Sequence, residues 1–304
     1  MNDRVDVTPR KALGQHFLHD NGVLDRIARL AMPEEASGLL EIGPGTGNLT
    51  ERLLAHGCPV VAIERDRRLP DVLAERFDGA GGDRLDVVRA DATRVDYGSL
   101  LRDERLGPRP VVVGNLPYNA GTEILFSVLQ SPVRPARMVF MLQREVALRL
   151  VAAPSTSAYG LLTVKVGIRA DVKVALRVRP GAFKPPPRVE SAVIVVEPLA
   201  EPRHPVPSLK RLFRLLDAGF GQRRKTLTNA LRNGLKIPTA TVREALVALS
   251  VDERSRAEAL SIAQWAALAT RLDPHVPAKP PHGHGSGRSK GRRASSRARN
   301  PTPE

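Results

Sequence analysis

The segment LLEIGPGTGNLT, residues 39–50, places three glycines, Gly43, Gly45 and Gly47, between an apolar run and an amphipathic stretch. This pattern predicts a buried strand, a tight turn and the start of a helix. Glycines in such a turn let the backbone approach a ligand closely and leave the first helical amides free to bind it. A dinucleotide-binding turn reads G-x-G-x-x-G, whereas Asn48 stands at the last position here. On the glycines alone, a tight turn without a ligand is the alternative.

Seven short apolar runs recur along the first 200 residues, and amphipathic stretches lie between the first five. Strands that alternate with helices predict a parallel sheet covered on both faces. The last two runs have no helix between them and indicate an antiparallel pair at one edge. The sequence therefore predicts an α/β fold with a seven-stranded, mostly parallel sheet. The runs are GLLEI (38–42), PVVAI (59–63), LDVVRA (85–90), PVVVGN (110–115), ARMVFML (136–142), VKVALRV (172–178) and SAVIVVEP (191–198).

The pattern changes at a Pro-rich run, residues 198–207, after which helical periodicity predominates. We expect residues 1–200 to form the α/β domain and residues 205–272 to form a small helical domain. From Pro274 the chain has no apolar periodicity and carries seven Lys/Arg against one Glu. Such a segment cannot bury a core, so residues 274–304, the basic tail, are predicted to be disordered.

The net charge of +15 and the pI near 10.8 indicate an anionic partner, with nucleic acid ahead of an acidic membrane surface. No apolar run approaches the roughly 20 residues that cross a bilayer, and the N-terminus lacks the apolar stretch of a signal peptide. Cys58 is the one cysteine, which excludes a disulfide framework and a Cys-based zinc site. We expect a cytoplasmic protein that handles nucleic acid, with neither a membrane partner nor a metal.

Two carboxylates close the next two predicted strands. Glu64 ends VVAIE, 21 residues beyond Gly43, where an acid can bind both hydroxyls of a ribose. Asp91 ends VVRAD, where a carboxylate can accept a hydrogen bond from an adenine amino group. Each could instead cap a helix, but open sheets bind ligands at the carboxyl ends of their strands. The spacing favours an adenosine-containing ligand without a pyrophosphate, S-adenosylmethionine ahead of NAD.

The stretch VVVGNLPYNAG, residues 111–121, ends the fourth strand at the same edge of the sheet. The amino nitrogen of adenine is a poor nucleophile because its lone pair is delocalised into the ring. The Asn115 side chain and the Leu116 carbonyl could accept its two hydrogens, and Pro117 would fix the backbone between them. Tyr118 would stack on a base that has left its own strand. Methyl transfer then needs orientation and hydrogen bonding; a Pro-containing turn with a core tyrosine is the alternative.

A basic segment, QRRKTLTNALRNGLK at residues 222–236, lies in the predicted helical domain. It places five basic residues in and just after one helix: Arg223, Arg224, Lys225, Arg232 and Lys236. A solvated helix face and contact with RNA phosphates are both consistent with this pattern.

These motifs closely resemble the ribosomal RNA adenine N6-dimethyltransferase family, nearly from Arg10 to Leu272. The resemblance implies a Rossmann-like class I methyltransferase domain, S-adenosylmethionine as cofactor and a ribosomal RNA substrate. The NLPY form and the basic helix favour the branch that dimethylates two adjacent adenosines near the 3′ end of small-subunit rRNA. The motifs are LGQHFL (13–18), EIGPGTG, IERD, RADA, GNLPYN, FMLQREVALRL, FKPPPRVESAV and FGQRRKTLTNALR.

The resemblance also implies roles for single residues. It places Phe183 opposite Tyr118 on a Pro-rich loop, although that Phe alone would indicate core packing. The family more often has Asn where this chain has His16, and an imidazole can still donate a hydrogen bond. Without the resemblance, His16 could equally be a capping or solvent-facing residue. The implied cofactor contacts are His16, Leu18, Gly43, Glu64, Asp91 and Asn115.

We therefore expect a monomeric enzyme that acts on rRNA within a pre-ribosomal 30S particle. Two rivals are a large-subunit rRNA methyltransferase and a non-catalytic RNA-binding or assembly factor that keeps the fold. The intact NLPY motif, Glu64 and Asp91 favour catalysis, because a protein that only binds RNA has no need of all three.

Overall fold

The computed structural model describes residues 7–10, 14–33, 36–79 and 82–277 of the chain. Its strands are β1 (Phe17–Leu18), β2 (Gly38–Ile42), β3 (Val60–Glu64), β4 (Leu85–Arg89), β5 (Pro110–Asn115), β6 (Arg137–Gln143), β7 (Ala170–Val178), β8 (Phe183–Lys184) and β9 (Ser191–Pro198). Its α-helices are α1 (Asn21–Leu30), α2 (Asn48–Leu54), α3 (Leu69–Phe77), α4 (Tyr97–Leu100), α5 (Gly121–Gln130), α6 (Arg144–Leu150), α7 (Leu161–Gly167), α8 (Leu209–Phe220), α9 (Leu227–Leu235), α10 (Thr239–Val247) and α11 (Ile262–Leu272).

Seven strands form one sheet in the order β4-β3-β2-β5-β6-β9-β7. The first five pair in parallel, and β9 pairs antiparallel with both β6 and β7. The predicted seven-stranded, mostly parallel sheet is confirmed, and so is the antiparallel pair at one edge. Within that pair β9 is the inner strand and β7 the outer one, which explains why β9 is almost continuously buried whereas β7 exposes several residues.

The central strands are buried on both faces, as their uninterrupted apolar runs predict. Along β5, Val112 packs on one face with residues of α4 and α5, whereas Val111 and Val113 pack on the opposite face with residues of α1, α2 and α3. This alternation is the period-2 pattern of a strand. Each loop that follows a parallel strand is therefore held at a fixed place along the carboxyl edge of the sheet.

The C-terminal helices enclose a second core, centred on the fully buried Trp265. This core also takes in Tyr159 and Val164, which precede the Pro-rich run, and the Tyr159 hydroxyl donates to the Leu260 carbonyl at 2.7 Å. Two residues further along α7, Val166 packs in the core of the sheet instead. Helix α7 thus contributes side chains to both cores. The second core therefore includes residues that precede the Pro-rich run, and not only residues after it.

The first residues of the predicted basic tail are ordered. Asp273–His275 form a single 3-10 turn, and Val276 is only 3% exposed within the core of the C-terminal helices. Arg214 Nη1 donates to the Pro277 carbonyl. Residues 274–277 therefore belong to the helical unit, and the prediction that disorder begins at residue 274 is wrong for them. The rest of the basic tail lies outside the described residues.

Within the described ranges, no helix combines the length and the apolar character that a membrane crossing needs.

Two shortened chains test the packing of residues 274–277. A chain that ends at Asp273 should unfold with a free energy about 2 kcal/mol lower than a chain that ends at Pro277, because burial of a valine side chain is worth roughly 1.5–3 kcal/mol. Urea denaturation of the two chains isolates the contribution of these four residues. Identical unfolding midpoints would contradict the burial of Val276.

A buried carboxyl, Glu41 of β2, gives a second test. Its side chain is 1% exposed and its Oε2 accepts a hydrogen bond from Thr50 Oγ1 at 2.7 Å. Burial raises the pKa of Glu41 to about 8, and the nearby negative charge of Glu64 acts in the same direction. The folded protein thus keeps a proton that the unfolded chain loses near pH ~4.3. The folded state therefore loses stability as the pH rises from that value through about 8.

Glu41→Gln keeps an acceptor for Thr50 and cannot ionise. Between pH 6 and pH 9, the free energy of unfolding of this variant should rise by about 1–3 kcal/mol relative to that of the wild type. One pKa unit corresponds to about 1.4 kcal/mol. Urea denaturation at the two pH values measures the difference. Parallel pH profiles of the two proteins would show that Glu41 ionises without penalty.

Candidate active site

A cleft of about 940 Å³, including the open space at its mouth, lies at the carboxyl ends of β2, β3, β4 and β5. The loops after these four strands line it, and residues 14–17 pass across it. Strand order reverses between β2 and β5, and such a switch point is where open α/β sheets bind ligands. The predicted strand-end residues therefore converge on one cavity.

The glycine turn after β2 has the backbone conformation that its sequence predicts. Gly43, Gly45 and Gly47 have φ values of +70°, +58° and +86°, a region that side chains with a Cβ rarely adopt. A Cβ on Gly47 would also lie 2.8 Å from Leu73 Cδ2. Gly43 and Gly45 line the cleft, whereas Gly47 closes the turn at the start of α2.

Glu64 forms part of the cleft wall and is 7% exposed. Its Oε1 accepts a hydrogen bond from the Asp66 amide at 2.7 Å, and its Oε2 accepts one from the Gly45 amide at 3.2 Å. Burial raises the pKa of Glu64, while these backbone hydrogen bonds oppose the rise. The carboxylate is thus held in place, and its remaining lone pairs can accept hydrogen bonds from ligand hydroxyls.

Asp91 lines the cleft, and its carboxylate already accepts hydrogen bonds within the protein. Its Oδ1 accepts hydrogen bonds from the Thr93 amide at 3.0 Å and the Thr93 hydroxyl at 2.8 Å, and these lower its pKa. Its Oδ2 lies 3.4 Å from Arg65 Nε. Asp91 caps a turn and not a helix, since the next helix, α4, has Asp96 as its N-cap, and the Asp91 carboxylate lines the cleft.

The orientation of the Asn115 side chain is fixed by the segment that crosses the cleft. Asn115 Nδ2 donates to the His16 carbonyl at 3.0 Å. The side-chain nitrogen is therefore engaged, and the Oδ1 atom is the end of the amide that can accept a hydrogen bond from a ligand.

The backbone that follows Asn115 is held at both ends. The Leu116 amide donates to the Met141 carbonyl on β6 at 3.1 Å, and the Leu116 side chain is buried. The Pro117 carbonyl accepts the amides of Ala120 and Gly121, at 3.0 and 2.8 Å, where α5 begins. Leu116 and Pro117 both line the cleft, as the NLPY motif predicts.

Tyr118 and His16 stack on each other at the cleft, with ring centroids 5.7 Å apart and planes 25° from parallel. The Tyr118 hydroxyl lies 2.6 Å from Ser191 Oγ. His16 Nδ1 lies 2.8 Å from the Pro185 carbonyl, and since a carbonyl only accepts, this nitrogen carries a proton. His16 is therefore an organised part of the cleft, which the sequence alone left undecided.

Phe183 does not face Tyr118. It lies on β8, which pairs antiparallel with β1 so that Leu18 is its direct partner. Both side chains point into the core under α1, and their exposed fractions are 2% for Phe183 and 5% for Leu18. The expectation of an aromatic pair with Tyr118 is wrong for this structure, because strand pairing turns Phe183 away from the cleft.

The pairing of β1 with β8 also limits what Leu18 can offer a ligand. The Leu18 side chain is in the core, and its carbonyl accepts a hydrogen bond from Asn48 Nδ2 at 2.9 Å. Phe17, which precedes it, lines the cleft instead, and its ring would meet a Cβ on Gly45 at 3.0 Å. Any contact of Leu18 with a ligand would therefore come from its backbone.

The sequence pattern does not predict a polar link between Gln15, which lines the cleft, and the buried Asp66. Gln15 Nε2 donates to Asp66 Oδ2 at 3.0 Å, and the Asp66 carboxylate also accepts hydrogen bonds from Arg68. These contacts lower the pKa of Asp66, with the Arg68 hydrogen bond as the largest cause. The signal was present in the motifs LGQHFL and IERD, whose Gln and Asp are the two residues joined.

The three basic residues Arg223, Arg224 and Lys225 lie in the turn between α8 and α9, not in a helix. Helix α8 ends at Phe220, and α9 begins only at Leu227. The three side chains are exposed, and the described part of the chain gives none of them a carboxylate partner. They are therefore accessible to an anionic partner.

Comparison with known proteins agrees with this geometry. A profile of the family described as ribosomal RNA adenine dimethylase matches residues 7–273. The ribosomal RNA small subunit methyltransferase A of Anaeromyxobacter sp. (strain K) is 46% identical over 276 residues, which cover 89% of this chain and 95% of that protein. The protein of the same name from Pseudomonas aeruginosa is 41% identical over 272 residues, covering 90% and 97%.

Solved structures show the same relationship. A dimethyladenosine transferase from Plasmodium falciparum has a TM-score of 0.71 and 25% identity, over 86% of this chain and 98% of that one. The 23S rRNA methyltransferase ErmE has a TM-score of 0.63 and 28% identity, over 84% and 99%. The fold is thus that of a class I methyltransferase, and the chain belongs to the ribosomal RNA adenine dimethylase family.

Proposed function

We propose that this protein transfers methyl groups from S-adenosylmethionine to the N6 atoms of two adjacent adenosines near the 3′ end of small-subunit rRNA. The observation that carries the proposal is the fixed amide of Asn115. Its nitrogen is held by the His16 carbonyl, so its oxygen is left to accept a hydrogen from an adenine amino group beside the Tyr118 ring.

The residues of the cleft fit an adenosine-containing cofactor, which when bound supplies an activated methyl group. The Glu64 carboxylate, already oriented by two amides, can accept hydrogen bonds from both ribose hydroxyls. Asp91 can accept a hydrogen bond from the cofactor's adenine if its Oδ2 is shared with Arg65. Gly43 and Gly45 present backbone to the cleft without a Cβ in the way.

Orientation and charge complementarity account for the proposed chemistry. Asn115 Oδ1 would accept one hydrogen of the N6 amino group, and the Leu116 carbonyl would accept the other. Two acceptors placed out of the ring plane would favour a pyramidal nitrogen, whose lone pair is no longer delocalised and can point toward the methyl group. As the N–C bond forms, the cofactor's S–C bond would break to leave a thioether, and the nitrogen would then lose a proton to water. No side chain needs to remove a proton before the transfer.

Tyr118 would hold the extruded base by stacking, worth roughly 1–3 kcal/mol. A base between two rings needs two stacking distances of about 3.5 Å each, or ~7 Å. The rings of Tyr118 and His16 are 5.7 Å apart, so they would have to separate by about 1 Å for a base to enter between them. Because Phe183 is buried, we assign the second ring of this slot to His16.

Small-subunit rRNA is favoured over large-subunit rRNA by the strength of the similarities. The relatives at 46% and 41% identity are named for the small subunit, whereas the large-subunit enzyme is 28% identical.

We further propose that Arg223, Arg224 and Lys225 contact phosphates of a pre-ribosomal 30S particle, because such contacts position a protein on RNA. The monomeric state stays a prediction.

Glu64→Ala should weaken the binding of S-adenosylmethionine at least roughly tenfold, because hydrogen bonds to a charged group are worth about 1.5–3 kcal/mol each. Titration calorimetry measures the affinity. Glu75→Ala, which removes an exposed glutamate from α3, serves as the matched control and should bind normally. Unchanged affinity in a folded Glu64 variant would remove Glu64 from the cofactor site.

Asn115→Ala should lower the rates of both methyl transfers by about a hundredfold or more, the scale seen when one preorganised hydrogen-bonding group is lost. The substrate is undermethylated small ribosomal subunits, and mass spectrometry of nucleosides from the digested rRNA counts monomethyl- and dimethyladenosine. Asn21→Ala, an exposed amide on α1, controls for the substitution itself. Dimethyladenosine formed at a near wild-type rate by Asn115→Ala would refute the proposed role of the amide.

A further inference from the structure

Three arginines lie near Glu190 at the carboxyl edge of the sheet, where β6 and β7 end and β9 begins; we call Arg144, Arg177 and Arg179 the rim arginines. Arg177 Nε lies 3.0 Å from both carboxylate oxygens of Glu190, and its Nη2 lies 2.6 Å from Oε1. Arg144 Nε lies 3.7 Å from Glu190 Oε2. Hydrogen bonding from Arg177, and then the positive charges of all three arginines, lower the pKa of Glu190. Arg177 and Arg144 thus share one carboxylate, and the charge of Arg179 acts on it from beyond ion-pair distance.

The rim arginines are joined to the proposed base site through one residue. The Glu190 carbonyl accepts the Arg144 amide at 2.9 Å, which fixes the start of α6 to the start of β9. The next residue, Ser191, is fully buried, and its Oγ lies 2.6 Å from the Tyr118 hydroxyl. The residue that carries the shared carboxylate is therefore the chain neighbour of the residue that contacts Tyr118, the ring on which the base would stack.

The charge of this cluster exceeds what its internal ion pairs need. Three arginines and one glutamate leave an excess of two positive charges. The side chains of Arg144 and Arg177 are 44% and 62% exposed. Arg179 is also exposed, and within the described ranges it has no carboxylate within ion-pair distance.

The connection between β7 and β9, which begins at Arg179, adds two more cations. Lys184 and Arg188 are exposed, and neither forms an ion pair with any described residue. Exposed ion pairs contribute at most about 1 kcal/mol to stability. Stability therefore gives little reason to gather so many cations at this rim.

We propose that the rim arginines bind the phosphates that flank the target adenosine. Guanidinium groups suit this role because their planar forks form paired hydrogen bonds with phosphate oxygens. The position suits it as well, since an extruded base at Tyr118 leaves its own phosphates at the mouth of the cleft. Hydrogen bonds to Glu190 restrain the Arg177 guanidinium before RNA arrives. This inference rests on the proposed function and assigns a second phosphate contact, apart from the turn at residues 223–225.

The proposed contacts would help to keep the base in the cleft. Extruding a base costs a few kcal/mol, and stacking on Tyr118 returns only part of that energy. Phosphates held on both sides of the flipped nucleotide would resist its return to the RNA strand. The rim arginines are thus expected to act on RNA binding and not on the cofactor.

The test uses the full chain with Arg177→Gln and Arg179→Gln combined. The matched control, Arg102→Gln with Arg134→Gln, removes the same charge from exposed residues near the opposite, amino edge of the sheet. Binding to undermethylated small subunits is measured at several salt concentrations, together with S-adenosylmethionine affinity and the free energy of unfolding. The rim variant should bind subunits roughly tenfold or more weakly, and the slope of log affinity against log salt should fall by about 1–2.

The cofactor affinity and stability of the rim variant should match those of the wild type, and the control variant should show no change in slope. Equal slopes for the rim variant and the wild type would overturn the proposal, as would equal losses in the rim and control variants. Unchanged subunit binding with lost binding to vesicles of acidic phospholipid would reassign the cluster to a membrane surface. Failure of the proposed function is distinguishable, because the wild-type protein would then form no dimethyladenosine whatever its salt dependence.

Discussion

The hydrogen bond from Asn115 Nδ2 to the His16 carbonyl ties the loop after β5 to the segment that crosses the cleft. The same segment is anchored on either side, through Gln15 to Asp66 and through the His16 ring to the Pro185 carbonyl. Three separate parts of the methyltransferase domain are thereby linked at one point. Without the His16 carbonyl, either end of the amide could face the cleft, and nothing described in the structure would select the acceptor end.

Two carboxyl groups, Glu41 and Glu64, lie in a poorly solvated place near the carboxyl edge of the sheet. Glu41 and Glu64 both have raised pKa values, each chiefly because of burial. The two carboxyls are held differently, Glu41 by the Thr50 hydroxyl and Glu64 by two backbone amides. Amide donors favour the ionised form, so Glu64 is the group prepared to accept hydrogen bonds from a ligand. Glu41 instead accepts a hydrogen bond from Thr50 on α2, and its burial lowers the stability of the folded protein at high pH.

Much of this fold and site could be predicted because the relevant signals are local. A continuous apolar run identifies a central parallel strand, and the polar residue that ends the run must lie at the ligand edge. Phe183 could not be placed this way, because β1 and β8 have two residues each and show no periodicity. The sharing of α7 between the two cores was equally hidden, since it depends on distant contacts such as the hydrogen bond from Tyr159 to Leu260, 101 residues later. A local sequence pattern predicts helices and strands well. It does not predict which face of a short segment will pack against a partner that is distant in the sequence.

Transfer of two methyl groups to one nitrogen requires two kinds of interaction with the base, hydrogen bonding and stacking. The amino group begins with two hydrogens and has one left after the first transfer, so hydrogen bonding weakens during the reaction. Stacking on Tyr118 uses the face of the ring system and does not depend on those hydrogens. The Tyr118 ring is in turn fixed by Ser191, which neither step alters. We therefore expect Asn115 to orient the nitrogen while Tyr118 and the surrounding contacts retain the base, and this division lets one site perform both transfers.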